Sequence, residues 1–172
     1  MQLDSSNGTN EYHQLFGHET HDNRVLFELL VVAVFQAGLS WRVAAGKIPI
    51  FRQVFANFDY RIVAGFDEPE FEAMMQQPAM IKNPRKIRAI VSNSRAIIKL
   101  APEFNDFNDY LWHFTNQQVW IMNIEPDAPL NQQSSLGTLV AKDMKKRGFK
   151  FVGPTTVQLL LLAAGIIQRM EK

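Results

Sequence analysis

Apolar residues recur along this chain at helical intervals, and the punctuation between them marks where one helix stops and the next begins. Asp22 or Asn23 caps a segment through Leu26, Phe27, Leu29, Leu30, Val31 and Val34 that Gly38 ends. This segment is apolar nearly all round, which predicts a buried helix rather than an amphipathic surface one. Pro49 suits the first turn of a helix that turns Phe51, Val54, Phe55 and Phe58 inward. Asp67 and Glu70 read as a capping box ahead of Phe71, Met74 and Met75, and Pro78 closes that element. Asn83-Pro84 opens a helix with Ile87, Ile90, Val91, Ser94, Ile97 and Ile98 on one stripe. Phe107, Tyr110, Leu111 and Phe114 form a shorter one behind Asn105 or Asp106. Residues 119–122 are ambiguous between helix and strand, and residues 123–135, with Pro126 and Pro129, read as a loop. Leu136, Leu139, Val140 and Met144 make a stripe that Gly148 stops, and Pro154 with Thr155 or Thr156 opens a last helix over residues 157–167. The pattern predicts an all-α fold, with a polar tail over residues 1–10 and one helical domain over residues 11–172.

Composition sharpens this picture. The 172 residues are 47% hydrophobic and 20% charged, enough for a real core and too apolar for a disordered chain. The absence of cysteine excludes disulfides, thiol nucleophiles and Cys-ligated metals. The most apolar runs fall short of the roughly 18–20 residues of a membrane span, and residues 1–10 lack a signal profile, so a cytoplasmic protein is expected. Net charge is only +1, but its distribution is uneven. No acid stands between Glu72 and Glu103, a gap that holds Lys82, Arg85, Lys86, Arg88, Arg95 and Lys99. Lys142, Lys145, Lys146, Arg147 and Lys150 form a second basic cluster. These segments read either as solvated helix faces or as a face for a polyanion.

Three segments carry candidate chemistry. Phe35-Gln36-Ala37-Gly38-Leu39-Ser40-Trp41 follows the buried helix, breaks at a glycine and presents a tryptophan. Trp41 reads either as a core filler or as an aromatic surface for stacking on a planar ligand. Around Lys82, Asn83, Arg85 and Lys86, a turn ahead of a helix offers amide N–H groups and cations to a phosphate. Residues 145–154 combine bases, Phe149 and Phe151 with two glycines ahead of the last helix, and suit a backbone contact as well.

These motifs, taken in order, resemble the DNA-3-methyladenine glycosylase I family. The likeness extends over about residues 12–167 and is strongest at residues 36–41, 86–96 and 145–153. It implies a helix-hairpin-helix glycosylase fold and hydrolysis of the N-glycosidic bond of 3-methyladenine in duplex DNA. Such an enzyme extrudes the damaged base and holds it between aromatic surfaces. By resemblance, Trp41 and Tyr12 are pocket aromatics, Phe16 stands where a second tryptophan is usual, and Gln36 is the family's glutamine. Leu39 is then the candidate wedge for the gap left by the flipped base. Lys82, Asn83, Arg85 and Lys86 would grip the DNA backbone, helped by Lys146, Arg147 and Lys150. The implied partner is duplex DNA with alkylated bases, bound by a monomer without cofactor.

The departures from the family pattern bear on chemistry. Ala33 stands where the family has a glutamate that reads the adenine, and Phe35 where a smaller or polar residue is common, which predicts a more apolar or partly filled pocket. Of the family's two-Cys, two-His zinc set only His13 is matched, with Met170 near the place of the later histidine, so no zinc of that type is expected. His13, His18, His21 and Glu19 lie close in sequence but read as surface residues rather than a metal set. Glu28 reads as a helix N-terminal carboxylate more readily than as a group reaching a pocket. Two functions follow: an active glycosylase for alkylated purines with an altered pocket, or a DNA-binding or lesion-sensing relative that no longer excises bases. A pocket blocked by Phe35 would favour the second, and an open one walled by Trp41 and Phe16 the first.

Overall fold

The computed structural model of the protein describes residues 5–172. Two helices that present almost no polar surface form its centre. Helix α2 (Asn23–Gln36) is buried without interruption from Leu26 to Phe35, and helix α10 (Pro154–Ala163) is buried from Thr156 onward; the two pack on each other. Their sequences leave no alternative, because a helix apolar on every face must be covered on every face. Asp22 caps α2 by accepting from the backbone N–H groups of Arg24 and Val25, at 2.8 and 3.1 Å.

The remaining elements wrap this pair. Helix α1 (Ser5–Leu15) lies against α3 (Trp41–Gly46) and α4 (Ile48–Val54). The polar tail expected over residues 1–10 is therefore, from Ser5 on, part of a packed helix; residues 1–4 lie outside the described residues. Gly8 explains how so polar a segment docks, since a Cβ there would stand 2.4 Å from the Ala45 carbonyl oxygen. A 3-10 turn (Ala56–Phe58) and a short α5 (Tyr60–Val63) lead to α6 (Glu68–Gln76), which starts with the expected Asp67/Glu70 capping box. Helix α7 (Pro84–Ile98) follows behind the Asn83 cap, then α8 (Phe107–His113) behind Asp106, and α9 (Ser135–Lys146) behind Ser134.

Two short strands depart from the all-helical pattern without changing the class. Residues expected to be ambiguous form β1 (Trp120–Ile124), which pairs in parallel with β2 (Ile167–Glu171). The last helix thus ends earlier than its apolar run suggested. Gly165, at φ +73°, turns the chain out of α10 into the strand. The same glycine lets the loop after α1 approach: the Gly17 N–H donates to the Ala163 carbonyl at 2.9 Å, and the Thr20 N–H to Ala164 at 3.2 Å. A Cβ at Gly165 would lie 2.5 Å from the Glu19 nitrogen. The loop after α1 and the end of α10 are joined here by backbone hydrogen bonds.

A half-exposed ion pair beside a buried carboxylate joins α1 and α4 to α2. Arg52 on α4 pairs with Glu11 on α1 and stands 3.7 Å from Glu28 on α2. Burial pushes the Glu28 carboxyl up to about 7, against the opposing charge of Arg52 and with Glu11 and Asp22 adding to the rise.

Replacing Gly165 with alanine forces a left-handed backbone and a clash with fixed main chain, and is expected to destabilise the protein by about 2–4 kcal/mol. Denaturant unfolding would show this as a lower midpoint at unchanged slope. For Glu28 the folded pKa lies above the unfolded value of 4.5, so the unfolded state loses its proton first. Stability should therefore fall as pH rises from 4.5 to about 7 and level off above. A Glu28→Gln variant should flatten that fall, gaining up to about 3 kcal/mol at pH 8 relative to its difference at pH 4.

Candidate functional site

The end of α2 and the start of α3 build one wall of a cleft. Gly38, at φ +80°, reverses the chain after Gln36, and Ser40 caps α3 by accepting from the Val43 N–H at 3.2 Å. Trp41 is thus the first residue of a helix, not a side chain on a mobile turn. Across from it stands α1, whose Tyr12 ring is stacked near that of Trp41, with centroids 6.2 Å apart and planes 25° from parallel. Phe16 lies 5.6 Å from Tyr12, and His13 meets Trp41 edge-on at 4.7 Å. These four rings, with Gln36, Leu130 and Leu159, line a cavity of about 280 Å³.

Gln36, Leu130 and Leu159 also line a second, adjoining cavity of about 490 Å³, which continues past Ala33, Gly38 and Leu39 to Asn131, Thr155 and Thr156. Together they form a two-lobed cleft with Gln36 in the dividing wall, of a size suited to a small planar ligand. Among the described residues no carboxylate, lysine or arginine lines either lobe. Burial holds the Tyr12 phenol well above its ordinary pKa, so it stays neutral. Arg42, just outside, places its guanidinium 4.9 Å from the Trp41 ring centroid. Among the described residues the buried Gln36 Oε1 has no hydrogen-bond partner.

Of the expected pocket residues, the structure brings Tyr12, Phe16, Gln36 and Trp41 together and excludes Phe35. Phe35 is fully buried on the far side of α2, stacked on Phe51 at 4.7 Å and near Phe55. It sits next to Gln36 in sequence, and adjacent helical residues point about 100° apart. The cleft is therefore open rather than filled. Leu39 is 41% exposed at the turn beside it, as a wedge would be. Glu28 is absent from both linings and belongs to the Arg52 pair.

The basic residues divide into two groups. Lys86, expected to face DNA, is buried, and its ammonium donates to the carbonyls of Phe35, at 3.0 Å, and of Ala37. It caps the C-terminal end of α2, where carbonyls without helical partners favour a cation. Desolvation there lowers its pKa. Arg147 is likewise engaged, 2.8 Å from Asp143 and 2.9 Å from Glu103, over the rings of Phe104 and Tyr110. Lys82 donates to the carbonyls of Met74 and Gln77 at the end of α6, and Asn83 caps α7 by accepting from the Lys86 N–H at 3.1 Å. Arg88 pairs with Glu68, and Arg95 donates to the carbonyls of Ala64 and Phe66. Much of the basic run on α7 thus closes helix ends and turns of its own chain.

Arg85, Lys146 and Lys150 remain exposed. Lys150 is held in place through its backbone: buried Asn93 on α7 accepts from its N–H at 2.7 Å and donates to its carbonyl at 3.1 Å. Arg85 stands 5.9 Å from the ring of Phe151, the next residue. The turn between α6 and α7 and the segment before α10 therefore meet, although they are far apart in sequence.

Known proteins match this chain throughout its length. The family model described as methyladenine glycosylase matches residues 3–172. The chain belongs to the methyladenine glycosylase family. It is 33% identical to DNA-3-methyladenine glycosylase 1 of Escherichia coli over 146 residues, 85% of this chain and 78% of that protein. The DNA-3-methyladenine glycosylase of Haemophilus influenzae is 28% identical over 91% of this chain and 85% of its own length. The fold is similar to that of 3-methyladenine DNA glycosylase I from Staphylococcus aureus, with a TM-score of 0.85 at 28% identity, covering 93% of this chain and 85% of that one. A variant of 3-methyladenine DNA glycosylase I solved in complex with 3-methyladenine has a TM-score of 0.85 at 27% identity, covering 98% and 93% of the two chains. The fold is thus the all-α, helix-hairpin-helix glycosylase fold.

Ala33, on α2, lines the larger lobe of this cleft. Among the described residues no group of three or more His, Asp or Glu is placed to hold a metal. His13 turns instead to Trp41 and the smaller lobe, a role that no sequence signal distinguishes from a surface histidine. Leu130 comes from a loop, and Leu159 is one of four consecutive leucines, so neither could be singled out in advance.

Removing the Lys86 ammonium leaves two carbonyls uncapped beneath the Gln36–Leu39 turn. Lys86→Met is expected to cost about 1–3 kcal/mol in denaturant unfolding. Lys82→Met, at an exposed cap, should cost less, within about 1 kcal/mol.

Proposed function

We propose that this protein is an active DNA N-glycosylase that excises alkylated purines, 3-methyladenine above all, from duplex DNA. The observation that carries the reading is the open cleft walled by Tyr12, Phe16 and Trp41, with Phe35 turned away into the core. A pocket that had lost its use would have no reason to keep three aromatic rings around empty space, where Phe16 and Trp41 forgo burial they could otherwise gain.

The flipped base enters between these rings while Leu39 fills the vacated space in the stack. An N3-alkylated adenine carries a positive charge in DNA. Electron-rich ring faces attract it over a neutral base, and the uncharged lining adds no competing cation. Bond cleavage then needs little help. The electron pair of the C1′–N9 bond moves onto the purine and neutralises it. Water adds its oxygen to C1′ and releases a proton to solvent. Because the leaving group departs neutral, no general acid is required, and the described lining residues supply none with a carboxyl group.

Duplex DNA is held, on this reading, by the α6–α7 turn and the segment before α10. Arg85, Lys146 and Lys150 offer charge; Lys82 and Asn83 shape the turn, and Lys86 and Arg147 act inside the chain. Phosphate contacts of this kind position the protein without reading sequence. Among the described residues no helix is long and apolar enough to cross a membrane.

Base release tests the reading directly. Wild-type protein incubated with methylated duplex DNA should liberate 3-methyladenine, and Trp41→Ala should do so about 10–100-fold more slowly, the loss of one stacking partner. Intact DNA binding with no released base from the wild type would show instead a relative that binds without excising.

A further inference from the structure

The cations around the turn that follows α2 are almost all committed to the protein itself. Lys86 caps the end of α2, Lys47 donates to the Ala79 carbonyl at 2.6 Å, and Arg52 pairs with Glu11. Arg42, on the first turn of α3, is different. It is exposed, and among the described residues its guanidinium meets only a ring, that of Trp41, 4.9 Å from the centroid. It stands one residue after the tryptophan of the cleft and three after Leu39. Exposed Leu39, Arg42 and Val43 thus present one outward surface beside the aromatic lobe.

That position has an electrostatic consequence. A guanidinium against Trp41 opposes the arrival of a cationic base at the same ring, because like charges a few ångströms apart repel. The base, however, comes attached to a sugar with a phosphate on each side. With the base in the cleft, those two anions lie at its mouth. Among the described residues neither lobe holds a cation to meet them. Insertion of Leu39 into the stack brings the start of α3 against the same strand. Arg42 is then beside the phosphates, and its planar fork suits a phosphate better than a ring alone. A phosphate bound there cancels the repulsion that the guanidinium would otherwise exert on the lesion.

We propose that Arg42 binds a backbone phosphate flanking the flipped nucleotide, a contact separate from the α6–α7 turn and the segment before α10. The strand itself thereby neutralises the charge that stands next to Trp41. This rests on the reading of duplex DNA as the partner, so binding and release are measured apart.

Two duplexes of one sequence are compared by fluorescence anisotropy over a salt series, one undamaged and one with a tetrahydrofuran abasic analogue at its centre. Arg42→Gln should weaken the abasic duplex about three- to tenfold at about 0.1 M salt, with a salt slope shallower by about one ion. The undamaged duplex should change by less than about twofold, because its nucleotides stay stacked. Arg61→Gln is the control: this exposed arginine also lies over a ring, that of Tyr60 at 5.3 Å, and its loss should alter neither duplex. Both variants should unfold at the wild-type midpoint. An unchanged affinity and slope in Arg42→Gln, an equal loss on both duplexes, or an equal loss in Arg61→Gln overturns the proposal. Release of 3-methyladenine from methylated duplex should fall in kcat/KM by a factor similar to the binding loss. If the wild type releases the base and Arg42→Gln matches it in binding and release, this inference fails and the excision reading stands. If the abasic duplex shows the expected loss and the wild type releases nothing, the phosphate contact stands and excision fails.

Discussion

A single buried ammonium, that of Lys86, joins the part of this protein suited to a DNA backbone to the part suited to a base. Lys86 follows directly on the α6–α7 turn, while the carbonyls it caps, those of Phe35 and Ala37, flank Gln36 at the mouth of the cleft. A charge at this depth is tolerable because the helix end presents concentrated negative potential and unpaired acceptors. The turn before α7, the end of α2 and the Gly38–Leu39 reversal are thereby fixed relative to one another. Asn93 extends the same framework by tying the backbone of Lys150 to α7. Basic residues in this region are thus more often internal braces than a free positive surface.

A second constraint explains how the fold closes at its ends. The resemblance to the glycosylase family implies a zinc site joining the termini, and this chain has no cysteine to build one. Among the described residues, main-chain hydrogen bonds join the segments there. The loop after α1 donates to the last carbonyls of α10, and β2 leaves α10 at Gly165 to pair with β1. Only a residue without a side chain permits that approach, so one glycine stands at the junction of three segments. His13 turns to the edge of Trp41 and lines the smaller lobe of the cleft.

The cleft itself is a balance between aromatic attraction and the absence of charge. Three rings provide stacking surface and neutral Tyr12 a hydroxyl, while the one buried carboxylate on α2, Glu28, is drawn away by Arg52. That separation follows from helical geometry: Glu28 and Ala33 are five residues apart, well off a common face.

Much of this was legible in the sequence. The order of helices, the Asp22, Asn83 and Asp106 caps, the Asp67/Glu70 box and the breaks at Gly38 and Gly148 follow from local chemistry that needs no distant partner. Tyr12, Phe16, Gln36 and Trp41 were named through the family resemblance, though only Gln36 and Trp41 stand in a distinctive motif. What only the tertiary structure decided depends on contacts between remote segments. The direction of Phe35 was set by Phe51 and Phe55, and the roles of Lys86 and Arg147 by carbonyls and carboxylates far along the chain. The sheet formed because residues 120–124 found residues 167–171, which neither segment announces alone. Local sequence fixes what a residue can do with its neighbours in the chain; which side chains are left free for a ligand is known only once every other partner has been assigned.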